Sequence, residues 1–111
     1  RDVVKERSGG KLSLDTTVEE IVKKVSEELR ISEKEIVGKS RKMEIAEARQ
    51  MSMYLCREIM GISLSNIGVY FGGRDHTTVL HAIKKITNKC ENNTSLNNTI
   101  KSLRRELTNP V

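Results

Sequence analysis

At 111 residues, with 32% charged and 36% hydrophobic side chains, the chain is sized for one ordered domain around one core, not for a disordered tail. One Pro, one Phe, two Tyr and no Trp leave a core of Ile, Leu, Val, Met and Ala, which suits helix packing better than a sheet sandwich. There is no signal peptide and no apolar run long enough to span a bilayer. The net charge of +5 is unevenly spread: residues 38–90 carry nine cations against four anions, whereas residues 1–37 carry eight against nine. A basic excess concentrated in one segment fits the electrostatic footprint of a nucleic-acid partner, and charge alone fits a solvated basic face as well.

Residues 1–7, RDVVKER, have the look of the last turns of a helix, broken by Ser8-Gly9-Gly10, and residues 1–14 are expected to connect to an upstream module. Thr17 with Glu20 forms a capping-box pattern, and Val18, Ile21, Val22, Val25 and Leu29 make one apolar stripe, predicting a helix over 17–30. Glu20 and Lys24 stand at the spacing for an i,i+4 ion pair. Ser32 with Glu35 opens a second, short helix ending near Gly38. Lys39-Ser40-Arg41-Lys42 is a basic connector. A long helix over 44–60 turns Ile45, Ala48, Met51, Leu55 and Ile59 inward and ends at Gly61.

The chain is organised around residues 63–86, SLSNIGVYFGGRDHTTVLHAIKKI. Ser63 can cap a short helix bearing Ile67, Tyr70 and Phe71, and Gly72-Gly73 supply the backbone freedom for a sharp stop. Asp75 caps the next helix, which runs to about Glu91 with Val79, Ala82, Ile83, Ile86 and Cys90 along its apolar stripe. Its other face carries Thr77, Thr78, His81, Lys84 and Lys85. Hydrogen-bonding side chains at the start of a helix, with cations further along, are what a helix-turn-helix recognition helix requires: the first reach base edges and the second meet phosphates. Asn92 and Asn93 mark a break, and a last helix over 94–108 carries Leu96, Ile100, Leu103 and Leu107 before Pro110. The expected fold is thus all-α, about six helices containing a helix-turn-helix.

Within Asp75-His76-Thr77-Thr78, the cap accounts for Asp75 but leaves three polar side chains outward on an opening turn. His can donate to a base acceptor, and Thr can hydrogen-bond or pack its methyl against thymine. In the connector, an arginine beside a major-groove helix can enter the adjacent minor groove. Arg49, Gln50 and Arg57 form either a phosphate clamp or surface charges paired with Glu47 and Glu58; spacing allows both. Gly38-Lys39-Ser40 is not a phosphate-binding loop, because that pattern needs glycine at position 33, which is Glu. His76 and His81 lack the i,i+4 spacing of a helical zinc pair, and there is no Cys-x-x-Cys, so no metal or cofactor is expected. Cys56 and Cys90 fall on apolar helix faces and suit reduced core residues of a cytosolic protein, and the four methionines suit core filling. No nucleophile–base pair is placed for catalysis, so the chain is not expected to be an enzyme.

IGVYFGGRDHTTVLHAIKKI, together with ARQMSMYLCREI at 48–59, KSRK and TVEEIVKKVSEEL, resembles the C-terminal DNA-binding domain of the bacterial replication initiator DnaA. The resemblance covers residues 15–108, and GGRDHTTV is its most specific run. It implies a helical domain of the Trp-repressor-like, DnaA C-terminal type over 15–111, with 1–14 the end of a linker helix from an ATPase module. It implies binding of double-stranded DNA at the DnaA box, a short asymmetric site at replication origins. Base contacts would come from Asp75, His76, Thr77, Thr78 and Leu80 in the major groove and from Arg41 in the minor groove. Phosphate contacts would come from Lys39, Lys42, Arg49, Gln50, Arg57, Leu64, Ser65 and Arg74. ATP binding and oligomerisation on the origin would belong to other parts of a longer initiator, which would be cytoplasmic and nucleoid-associated, with acidic-phospholipid contact near the linker. Ser40, Ala48 and Ser65 stand where the family commonly has a basic residue and two prolines. The readings that compete are a dimeric helix-turn-helix repressor on two-fold half-sites and a protein- or acidic-lipid-interaction module; the domain itself is expected to be monomeric.

Overall fold

The computed structural model describes residues 17–108, and these form six α-helices and one π-helical turn, with no strand among the described residues. The expected linker at 1–14 and the stop at Pro110 lie outside the described residues. The helices are α1 (Val18–Leu29), α2 (Glu33–Val37), α3 (Met43–Leu55), α4 (Leu64–Tyr70), α5 (His76–Asn92) and α6 (Thr94–Thr108).

Short side chains at the starts of these helices take up backbone N–H groups that have no partner within the helix. Thr17 Oγ1 accepts from Glu20 N at 3.1 Å, Ser32 Oγ from Glu35 N at 3.1 Å, and Ser63 Oγ from Asn66 N at 3.1 Å. At Ser32 the hydroxyl also donates to Glu35 Oε1. Asn93, expected only to mark a break, caps α6: its Oδ1 accepts from Leu96 N at 3.0 Å.

One core joins all six helices. Ile21, Val22 and Val25 of α1, Ile36 of α2, Met51, Met53 and Leu55 of α3, Ile67 of α4, Val79 and Ile86 of α5, and Ile100 and Leu103 of α6 are all buried. Phe71, at the end of α4, is fully buried, with Tyr70 edge-on at 5.5 Å. α3 is the central element: it packs on α1, α2, α5 and α6. This explains why α3 buries Met53, Arg49 and Ser52 as well as the expected Ile45, Ala48, Met51 and Leu55, a wider face than one stripe.

The helix expected to run unbroken from 44 to 60 is regular only to Leu55. Cys56–Met60 is a π-helical turn, which buries Cys56, leaves Arg57 and Glu58 exposed and closes at Gly61 through Gly61 N to Arg57 O at 3.0 Å. Cys56 and Cys90 are both free thiols; burial pushes the Cys56 thiol up to about 12 and also raises that of Cys90, so neither is a thiolate near neutrality.

Candidate nucleic-acid interface

α4, the Gly72-Gly73 bend and α5 form the helix-turn-helix. Both glycines have positive φ, 86° and 78°, which L side chains adopt only under strain. Gly68, two residues before Tyr70, is needed for a different reason. Its carbonyl accepts from both Gly73 N (3.0 Å) and Arg74 N (2.9 Å), and a Cβ built on it would lie 1.9 Å from Arg74 O. The bend is folded directly onto the helix that precedes it.

Asp75 then caps α5, its Oδ1 accepting from Thr78 N at 2.9 Å. The hydrogen bonds from Thr78, backbone first and hydroxyl second, hold the Asp75 carboxyl below its ordinary value of 3.8. With the cap made and Val79, Ala82 and Ile86 buried, the helix has one permitted rotation about its axis. His76, Thr77, Thr78 and His81 are exposed, Leu80 is half-buried, and Lys84 and Lys85 are exposed further along.

Two adjoining grooves mark the surface around this turn. The first runs between α3 and α5 and is lined by Gln50, Met53, Thr78, His81, Ala82 and Lys85, among others. The second is lined by Lys39, Ser40, Arg41, Gly72 and Gly73. Ala46, Arg49 and Arg74 border both. The fold therefore brings the 39–42 connector beside the bend and the start of α5, some 35 residues later in the chain. Lys39, Arg41 and Lys42 are exposed there, and Lys42 N donates to Ser40 Oγ at 3.2 Å. Among the described residues no ion pair places a carboxylate on these connector cations; the pairs formed are Lys24–Glu106, Lys89–Glu47 and Arg104–Glu58.

Those pairs also correct the sequence expectations. Lys24 joins α1 to α6 instead of pairing with Glu20, and Glu47 and Glu58 are taken by Lys89 and Arg104, not by Arg49 and Arg57. Arg57, exposed, donates through Nη1 to Ile62 O at 2.9 Å, holding the entry to α4; Ser65 is exposed there and Leu64 is half-buried.

Arg49 differs most from its expected place as an outward phosphate cation. Only 6% of it is exposed. Its Nε, Nη1 and Nη2 donate to Ile36 O, Ser40 O and Glu35 O at 2.8, 2.9 and 3.0 Å. Burial, and secondarily the charge of Arg74, lower its pKa from that of a free guanidinium. Arg74 is half-buried and donates to Gly38 O at 3.1 Å and to Phe71 O. Neither role is legible locally: the acceptors of Arg49 lie 9 to 14 residues away and the more distant acceptor of Arg74 lies 36 away.

Among the described residues no group of three or more His, Cys, Asp or Glu side chains is placed to hold a metal ion, and no helix is long and apolar enough to cross a membrane.

Comparison with known proteins places these features in context. Residues 18–86 match the family model described as the bacterial dnaA protein helix-turn-helix. The chromosomal replication initiator protein DnaA of Lactococcus lactis subsp. cremoris is 44% identical over 90 residues, which are 81% of this chain and 20% of that protein. Its counterpart from Thermus thermophilus is 42% identical over 89 residues (80% and 20%), and that from Ruegeria sp. 50% identical over 70 (63% and 15%). A solved structure titled as a DNA replication initiation factor superposes with a TM-score of 0.74 at 28% identity, over 82% of this chain and 28% of that one. The chain thus spans about a fifth of the length of these curated relatives.

Proposed function

This chain belongs to the bacterial DnaA helix-turn-helix family, and from that premise we propose that it binds double-stranded DNA in a sequence-specific manner, as the origin-recognition part of a replication initiator. The observation that carries the reading is the exposed opening turn of α5. Its His76, Thr77 and Thr78 side chains project from a capped, core-anchored helix beside a connector bearing three exposed cations.

In this reading α5 enters the major groove of a DnaA box. His76, Thr77 and Thr78 read base edges, Leu80 meets a thymine methyl, and Asp75 joins them while it caps the helix. Arg41 enters the adjacent minor groove, where negative potential is concentrated. Lys39, Lys42, Gln50, Arg57 and the segment at Leu64 and Ser65 grip phosphates on either side. Residues 15–111 act as the DNA-binding unit and bind an asymmetric box as a monomer, and residues 1–14 lead from an ATPase module. ATP binding, oligomerisation and any acidic-lipid contact fall to the longer protein. The cations provide affinity that falls steeply with salt, and the opening turn of α5 provides discrimination.

The test is a pair of titrations, one on a duplex carrying a DnaA box and one on a scrambled duplex at the same salt. Thr77→Ala or His76→Ala should cost about 1–3 kcal/mol on the box and little on the scrambled duplex. Equal losses on both duplexes would remove base readout from the proposal.

A further inference from the structure

Two guanidinium groups from different elements converge on one short piece of backbone. Arg49, on α3, spans three carbonyls, those of Glu35, Ile36 and Ser40, within 3.0 Å. Arg74, beyond the Gly72-Gly73 bend, takes the carbonyl of Gly38 at 3.1 Å and that of Phe71 in its own turn. Four of the six carbonyls from 35 to 40 are thus held by two side chains. One of these belongs to the helix that backs the recognition helix, and the other to the bend that precedes it. Arg41 follows immediately after the last of the four, and its own side chain is exposed.

We propose that Arg49 and Arg74 are positioning residues for DNA recognition: they lock the connector to the helix-turn-helix, so that Arg41 stands at a set place relative to α5. The proposal rests on the DNA-binding reading above and gives these two arginines work other than touching DNA. A connector of Gly, Lys and Ser held by nothing would sample many conformations, and Arg41 would lose that freedom on entering a groove. Hydrogen bonds made before binding remove most of that loss. Arginine is suited to the task because its planar fork reaches several acceptors at once, whereas the ammonium of lysine is a compact point donor. The low exposure of Arg49 and the commitment of three of its N–H groups leave it poorly placed for an outward phosphate contact.

A double-mutant cycle on the 111-residue chain tests this, with affinities for box and scrambled duplexes measured at one salt concentration. Arg49→Lys keeps the charge and removes the fork. With Arg41 present, it should weaken box binding about tenfold; in an Arg41→Ala background, it should weaken it less than about twofold. Scrambled-duplex binding should be unchanged in both. In the free protein, amide exchange at Gly38 and Lys42, whose N–H groups are bonded to Glu35 O and Ser40 Oγ, should quicken in Arg49→Lys while the α5 amides keep their protection. Equal losses in the two backgrounds, or unchanged connector exchange, would overturn the positioning role. An unmodified chain that does not prefer the box would instead overturn the DNA-binding reading itself. If Arg49→Lys melts below the assay temperature, Arg74→Lys enters the same cycle with the same expectations.

Discussion

Asp75 shows how much one side chain does at the edge of this interface. Its carboxylate supplies the missing acceptor for the first turn of α5, and the hydrogen bonds from Thr78 lower its pKa below 3.8. A depressed carboxyl contributes stability that is fully present above the unfolded value and is lost as pH falls through the lower, folded value. The opening turn carrying His76 and Thr77 should therefore loosen only below about pH 3.8, and not in the neutral range. An NMR titration of the Thr78 amide checks this. Asp75→Asn, which keeps an acceptor but does not titrate, should abolish the acid transition; persistence of the transition in that variant would assign it to another group. Arg49 makes the opposite point about residues. As a letter in the sequence it is a cation on a helix, and only its neighbours turn it into an internal strut.

At the scale of elements, the bend between α4 and α5 depends on a close approach that glycine alone permits at position 68. A methyl group there would lie 1.9 Å from Arg74 O, against backbone that cannot swing aside, and would part the two hydrogen bonds closing the bend. Gly68→Ala should destabilise the protein by about 2–3 kcal/mol, the upper part of the usual range for overpacking, as measured by urea unfolding. It should also lower box affinity in whatever fraction remains folded, because α5 would be displaced relative to α4. Wild-type stability in this variant would mean that the bend has slack which its hydrogen bonds do not suggest. The caps at Thr17, Ser32, Ser63 and Asp75 were legible in advance because each acts over three residues. The π-helical turn at Cys56–Met60 was not, because the apolar spacing of 44–60 is compatible with an unbroken helix.

For the molecule as a whole, the question is what holds α6 to the rest. Apolar burial and ion pairs both cross that boundary: Ile100 and Leu103 are buried, while Glu106 meets Lys24 at 3.5 Å and Arg104 meets Glu58 at 3.7 Å. The charged groups are about half exposed, so solvent screening leaves each pair worth at most about 1 kcal/mol. Truncating a fully buried leucine typically costs about 2–5 kcal/mol. Leu103→Ala should accordingly lower the thermal midpoint by many degrees, while Glu106→Gln should barely move it. Similar shifts for the two would mean that the ion pairs anchor the helix.

The order of the six helices, the caps at Thr17, Ser32, Ser63 and Asp75, the inward stripes and the paired-glycine bend were all present in the sequence, because each is set by interactions within a few residues or by a repeat of the helical period. So was the DnaA-type motif, because its residues are contiguous. The partners of the arginines were decided by the tertiary structure alone. A guanidinium can meet a carboxylate, a phosphate or a backbone carbonyl with similar ease, and only packing α2, α3 and the bend together put these carbonyls within reach of Arg49 and Arg74.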